Sequence, residues 1–181
     1  MKIQARRKMK ANIRLAALAL ALSITGPALA ECQGGENAAI LPATPSAAFF
    51  DFGNGTVLHR PTQLIWARCA IGQAWTGSAC SGEPELMDWA QALNAAAEAD
   101  LAGQTDWRLP NRNELGSIVE SRCHGPAING AIFPDSPAQG MWTSSPAAAQ
   151  TAWQVAFDQG ALVLRPNNET AAVRLVRGGR N

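Results

Sequence analysis

Asp106-Trp107-Arg108-Leu109-Pro110-Asn111-Arg112-Asn113-Glu114-Leu115 reads as a strand that stops at a proline and becomes a helix almost at once. Leu109 precedes Pro110, whose ring pushes it toward extended backbone. Asn111 suits a helix N-cap, because its side-chain oxygen can accept from a free backbone N–H of the first turn. Glu114, three residues on, can reach back to the cap's own N–H, as in a capping box. Leu115, Ile118 and Val119 follow at helical spacing, so one face can bury, and the helix is expected to end near Arg122. Arg108 and Glu114 are expected to fix this helix to a sheet, with Trp107 packed beneath.

On the N-terminal side, Asp88-Trp89-Ala90-Gln91 repeats the capping pattern and opens a first helix. Its buried stripe is expected to be Trp89, Leu93, Ala96 and Ala97, with fraying near Asp100 and a break at Gly103. Further back, Asn54-Gly55 is the strongest short hairpin signal. Val57-Leu58-His59 and Leu64-Ile65-Trp66-Ala67 read as short strands, with Arg60-Pro61-Thr62 turning between them. Asp51 and Asn54 fit a structural turn better than a calcium loop, because the required series of spaced carboxylates is missing. Residues 31–48 are rich in Ala, Pro and Gly and read as an extended arm held only by Cys32.

On the C-terminal side, Gly125-Pro126 stops the second helix, and Ile128, Ile132 and Phe133 read as apolar plugs in a loop. Met141-Trp142-Thr143-Ser144 is a strand, and Trp153-Gln154-Val155-Ala156-Phe157 alternates. Asp158-Gln159-Gly160 turns into Ala161-Leu162-Val163-Leu164-Arg165. Ala172-Val173-Arg174-Leu175-Val176-Arg177 is expected to close the same sheet. The order predicts an α+β domain over residues 49–181, with two helices packed on a twisted antiparallel sheet.

Residues 1–30 read as a cleavable signal peptide. Lys2, Arg6, Arg7, Lys8, Lys10 and Arg14 form a basic head, the run from Leu15 to Ile24 is apolar but for Ser23, and Pro27-Ala28-Leu29-Ala30 supplies small residues for cleavage. The apolar run is shorter than the ~20 residues of a transmembrane helix, so export without membrane insertion is expected, to the periplasm, the cell surface or the medium. The remaining chain carries nine arginines and no lysine against fourteen acidic residues, a net charge of −5. Such a balance is a poor footprint for nucleic acid. About 150 residues suffice for one domain with a proper core. Four cysteines in an exported chain point to two disulfides, with three connectivities open. Cys69 and Cys80 flank a short loop, and pairing them leaves Cys32 with Cys123. On the chain-entropy account the short loop is worth about 3 kcal/mol and the long one somewhat more.

The ordered series Gly53-Asn54-Gly55-Thr56-Val57, Leu64-Ile65-Trp66-Ala67-Arg68-Cys69, Gly72-Gln73-Ala74-Trp75, Trp89-Ala90-Gln91-Ala92-Leu93, Asp106-Trp107-Arg108-Leu109-Pro110-Asn111, Trp142-Thr143-Ser144-Ser145-Pro146 and Val173-Arg174-Leu175-Val176-Arg177-Gly178-Gly179 resembles the C-terminal domain of the Legionella collagen-like adhesin family. The resemblance runs from about Phe49 to Gly179. It implies a disulfide-stabilised variant of the C-type lectin fold in an exported bacterial protein. Some relatives are adhesins for sulfated glycans, and others are receptors whose variable binding face precedes the final strand. The Trp-Arg-Leu-Pro and Arg-Leu-Val-Arg-Gly signatures are also similar to those of formylglycine-generating enzymes. Where family members carry many tyrosines, this chain has none, and Ala147-Ala148-Ala149 and Ala171-Ala172 occupy that zone. The loss of aromatic rings and the acidic charge weigh against sulfated glycans.

The candidate ligand-binding residues are Trp153, Gln154, Asp158, Arg165, Asn167, Asn168 and Glu169, on the last strands and the loop between them. The plainer alternative is that Trp153 packs in the core and the rest are solvated turn residues. Trp66, Trp75, Trp89, Trp107 and Trp142 are expected to be core residues. Arg108, Arg174 and Arg177 are expected to make structural hydrogen bonds or ion pairs with carboxylates such as Asp106 and Glu114. His59 and His124 lack a second ligand for a metal. No hydrolase elbow, phosphate loop or HExxH helix occurs, so no catalytic residue, metal or cofactor is expected. The expectation is a binding or adhesion module for a surface glycan or protein. A structural envelope component comes second and a formylglycine-generating-like enzyme third. Oligomerisation is left open.

Overall fold

The structure, a computed structural model, describes residues 31–178. The signal peptide read over residues 1–30 and the last three residues lie outside the described residues. After β1 (Gly35–Glu36) in the N-terminal arm, three strands form a meander: β2 (Phe49–Asp51), β3 (Thr56–His59) and β4 (Leu64–Ala67). The β2–β3 turn is the Asn54-Gly55 hairpin read from the sequence. Asp51 Oδ1 accepts from Gly53 N–H at 2.7 Å and Asn54 Oδ1 from Thr56 N–H at 3.2 Å, so both side chains build the turn itself. A small ladder of β5 (Ala74–Trp75) and β6 (Cys80–Ser81) follows, closed by the Cys69–Cys80 disulfide.

Two helices come next, α1 (Trp89–Ala97) and α2 (Arg112–Gly116). Both begin with complete capping boxes, Asp88 with Gln91 and Asn111 with Glu114. The buried stripe of α1 is Ala92 and Ala96, with Trp89 and Leu93 half-buried; Ala97, expected on this face, is exposed. Helix α2 is one turn long and does not reach Arg122. From Ile118 on the chain tightens to i→i−3 bonds, Ile118 to Leu115 and Val119 to Gly116. That still buries Leu115 and Ile118, three apart, and frees Val119 to bridge to Ile128. Helical spacing of apolar residues was therefore satisfied by a tighter turn.

Short β7 (Cys123–His124) pairs with β1. The arm is thus not held only by Cys32. The buried Glu120 carboxylate accepts from the backbone N–H groups of Ala43 (2.9 Å) and Thr44 (2.7 Å) and from the Thr44 hydroxyl (3.0 Å). Asn129 donates to Thr44 O at 2.9 Å, Arg122 pairs with Glu36, and the expected Cys32–Cys123 disulfide is present. An irregular segment can seat this firmly because one buried carboxylate satisfies backbone donors that would otherwise be unpaired.

A three-stranded sheet follows, with β9 (Thr151–Ala156) between β8 (Gly140–Pro146) and β10 (Ala161–Pro166). The stretch expected to close this meander does so only at its first residue, where Ala172 bridges Met141 of β8 and donates its N–H to Gly140 O at 3.1 Å, whereas the last strand, β11 (Val176–Gly178), leaves it. It pairs with β4, giving a four-stranded sheet of order β11-β4-β3-β2. The fold is α+β and mostly sheet. Two apolar clusters fill it. One holds Trp66, Leu115, Phe133, Met141 and Val155, the other Ala92, Trp107, Leu109, Trp142 and Val173. Ile128 and Phe133 are fully buried plugs, as expected.

The opening stretch joins these parts. It is extended, but its only ladder contact among the described residues is a bridge in which Arg108 and Val176 exchange backbone bonds of 2.9 and 3.1 Å. Pro110 O accepts from Ser144 N–H of β8 at 2.7 Å, and Arg112 N–H donates to Ser145 Oγ at 3.0 Å. Arg108 grips Glu114 with two bonds of 2.7 and 2.8 Å. Burying a large apolar side chain contributes about 1.5–3 kcal/mol and a cap about 1 kcal/mol, so packing stabilises the junction and the polar groups set its position.

Asn111→Ala is expected to lower stability by ~1 kcal/mol, read as a shifted denaturant midpoint with unchanged slope. Glu120→Ala leaves several buried donors unpaired and is expected to be worse, by about 2 kcal/mol or more. In that variant, limited proteolysis is expected to cut first within residues 37–48.

Candidate functional site

Strand alternation decides which candidate residues can meet. In the β9–β10 register Gln154 faces Val163, Ala156 faces Ala161 and Ala152 faces Arg165. These pairs share one face, and Trp153 with its partner Leu164 lies on the other. On the first face an open groove of about 380 Å³ runs along the hairpin, lined by Gln139, Gly140, Gln154, Asp158, Val163 and Arg165 among others. Arg165 stands at one end and Asp158, beyond the last pair, at the other. Gln154 lies in the floor and is only 4% exposed. Gly140 makes room for it, since a Cβ there would sit 2.2 Å from Gln154 Oε1.

The groove therefore gathers three of the seven candidates. Arg165 and Glu169 form a loose pair at 3.9 Å, each about half exposed, so the cation is weakly held and open to exchange of partners. Asn167 and Asn168 line a separate depression with Ala149, Gln150 and Pro166. Asn167 is tied to the framework, its N–H donating to Gln150 O at 2.9 Å and its carbonyl accepting from Trp89 N–H at 3.0 Å. Trp153 is half-buried on the opposite face, with the Arg112 guanidinium 5.1 Å from its ring centroid. Gln139, Gly140 and Val163 were not among the candidates. Counting by twos from Gln154 lands on Leu162 and Leu164, so Val163 follows only from the turn register that pairs Ala156 with Ala161, and the loop residue Gln139 carried no signal at all.

The remaining residues form a framework. Trp66, Trp107 and Trp142 are buried as expected, but Trp75 and Trp89 are only partly so. Arg177 grips Asp106 with bonds of 2.7 and 3.1 Å, and those bonds hold the Asp106 carboxyl below its usual range. Burial pushes the Glu114 carboxyl up, but bonds from Arg108 and the Asn111 N–H outweigh it and the net shift is downward. Among the described residues Arg174 has no carboxylate partner. It is fully buried, donates to the carbonyls of Ala67 and Arg68 and to Ser136 Oγ, and lies over Phe133. Burial lowers its pKa to about 9.

Among the described residues no group of three or more His, Cys, Asp or Glu could hold a metal ion, and no helix is long and apolar enough to cross a membrane. His59 is buried, stacked on Phe49 with ring centroids 4.8 Å apart and 2.8 Å from Thr62 Oγ1. His124 is exposed beside Gly35.

These features define a disulfide-stapled α+β module with an open polar groove on an edge hairpin. The sequence profile of the Lcl C-terminal domain matches residues 55–177, and the chain belongs to that family. A comparison with curated proteins found no match.

Burial holds the His59 pKa below its ordinary value of about 6.5. The unfolded chain binds the proton more readily, so stability is complete above that value and is lost as pH falls below it. His59→Phe keeps a ring against Phe49 and removes the titration. The fall in thermal midpoint of the wild type between pH 7.5 and 5.5 is expected to be shallower in this variant.

Proposed function

We propose that the chain is an exported binding or adhesion module with a C-type-lectin-like fold, recognising a surface glycan or protein through the β9–β10 groove. The observation that carries this reading is the convergence of Gln154, Asp158 and Arg165 on one face of a hairpin at a sheet edge. One amide, one anion and one cation suit a ligand rich in neutral donors and acceptors, such as an unsulfated sugar or a polar peptide. Membership of the Lcl C-terminal domain family supports a surface-associated role. The two disulfides fit an oxidising compartment. A fold of two capped helices with antiparallel sheet, stapled twice, agrees with the lectin-like variant.

The structural-component reading has its own support. On the opposite face of the edge strand β10, Leu162 and Leu164 are almost half exposed. An uncovered edge with exposed leucines suits assembly with another chain. An enzyme of the formylglycine-generating kind would need a reactive thiolate, and all four cysteines are bonded.

A glycan array probed with and without calcium tests the first reading. Binding to neutral glycans that survives a chelator is expected, and the Asp158→Ala/Arg165→Ala double variant should weaken it about tenfold or more. Unchanged binding by the double variant overturns the groove. Failure to bind any glycan or surface protein, with co-purification in an envelope assembly, transfers the case to the structural reading.

A further inference from the structure

We propose that the free edge of β10 pairs antiparallel with β10 of a second copy of this chain, making a two-fold dimer in which Leu162 of each copy lies opposite Leu164 of the other. The structural-component reading rests on that exposed edge, and this pairing gives the edge a definite partner. Strand β10 ends the three-stranded sheet and, among the described residues, pairs only with β9. Its backbone groups alternate in direction along the strand. Asn167 N–H donates to Gln150 O at 2.9 Å and continues the β9–β10 register, so the groups of Ala161, Val163 and Arg165 point at β9. Strand β9 shows the same parity: Thr151 O and Trp153 O are turned to the β8 side, where they accept from Ala147 N–H and the Thr143 hydroxyl. The N–H and C=O groups of Leu162 and Leu164 therefore point away from the sheet.

The ends of the edge fix the register. Pro166 has no N–H, and its carbonyl accepts from Glu169 N–H at 3.0 Å. Gly160 lies in the turn at a φ of 75°, and its N–H already donates to Ala156 O at 2.8 Å. Each copy thus offers the donors and acceptors of Leu162 and Leu164 and little else. Setting Leu164 against its own copy would place Leu162 opposite Pro166. Setting Leu162 against its own copy would place Leu164 opposite Gly160. With Leu162 opposite Leu164, and Val163 opposite its own copy on the axis, both leucines of both chains exchange their bonds. A patch that completes itself in this way closes at two copies.

The side chains suit the same arrangement. Leu162 and Leu164 are 46% and 49% exposed on one face of the strand, and this register gathers the leucines of both copies into cross-strand pairs. On the groove face the charges sit at opposite ends, Arg165 at one and Asp158 at the other. A two-fold axis through Val163 reverses one copy, so each Arg165 comes opposite the small Ala161 of the second copy, at the end where Asp158 lies. A parallel pairing would put like charges side by side. Arg165 is free to change partner, because its pair with Glu169 is loose at 3.9 Å and both side chains are about half exposed. Edge strands that stay apart are commonly guarded by lysine, a bulge or proline. The six residues of β10 hold no lysine, pair with β9 without a register shift, and reach proline only at the last position.

The test is sedimentation velocity of the purified protein from low to high micromolar concentration. A mass that doubles as concentration rises is expected, and Leu164→Lys should stay monomeric throughout. Arg165→Asp should weaken the dimer about tenfold, and Asp158→Arg/Arg165→Asp, which exchanges the two charges, should restore it. Register is read by cross-linking under mild oxidation. Val163→Cys, on the axis, should form an interchain disulfide about tenfold faster than Ala161→Cys, which lies on the same face but away from its own copy. If Leu164→Lys does not fold, this comparison decides. A wild type that is monomeric over the whole range overturns the proposal, even where an envelope assembly captures it, a result that would leave the structural-component reading standing. So does a dimer that survives Leu164→Lys, a charge exchange that restores nothing, or Ala161→Cys cross-linking as fast as Val163→Cys.

Discussion

The two-way backbone bridge between Arg108 and Val176 is the constraint on which the architecture rests. Through it a segment in mid-chain fixes the last strand, and that strand lies against β4. Three residues further on, Asn111 caps α2, while Pro110 and Arg112 bond to β8. The bridge, the cap and the bonds to β8 join both larger sheets and one helix within a handful of residues. The Arg108 side chain extends the grip, donating to Glu114 of α2 and to Gly178 O at the end of β11. Every direction from this point is set by a hydrogen bond, and the apolar clusters on either side fill what those directions enclose.

Arginine does this framing throughout. With no lysine after residue 10, the described cations are all guanidiniums, and each has a partner. Arg68, Arg108, Arg122 and Arg177 hold carboxylates, Arg174 holds carbonyls, and Arg60 and Arg112 lie over rings. A planar fork of donors suits this use better than a flexible ammonium. Only Arg165, loosely paired with Glu169, is left at the groove.

The local chemistry was legible in the sequence, and the distant pairings were not. Capping boxes at Asp88 and Asn111 depend on residues three apart, and the Asn54-Gly55 turn on neighbours, so pattern sufficed. That Arg108 grips Glu114 followed from their places six apart around the cap, whereas for Arg177 only the kind of partner, a framework carboxylate, was read, and the structure supplies Asp106. The partner of β11 could not be read, because Ala172-Val173-Arg174-Leu175-Val176-Arg177 has no alternation to favour one sheet, and the stretch touches β8 at Ala172 before it reaches β4. The docking of the arm depends on Glu120, an acid that looks like any surface residue until its neighbours are known. The β8–β9 tip also escaped notice. Ala149 and Gln150 both adopt positive φ there, at 57° and 56°, without the Asn or Gly that signals such a turn. For the site, alternation already placed Trp153 and Gln154 on opposite faces, so the seven residues could not form one surface. The groove partners Gln139 and Gly140 come from a loop whose position is set only by folding.

The pairing of β11 with β4 matches Val176 to Trp66, and the bridge to Arg108 ties the same strand a second time. Neither contact can form until segments more than sixty residues apart have met. Closing so long a loop costs entropy before any bond repays it, and chains dominated by such contacts fold slowly. The local units, the β2–β3 turn, the Cys69–Cys80 loop and the capped helices, are free to form early and wait. The rate-limiting event in refolding should then be the arrival of β11, which makes this strand, three residues long, a kinetic gate for the whole domain.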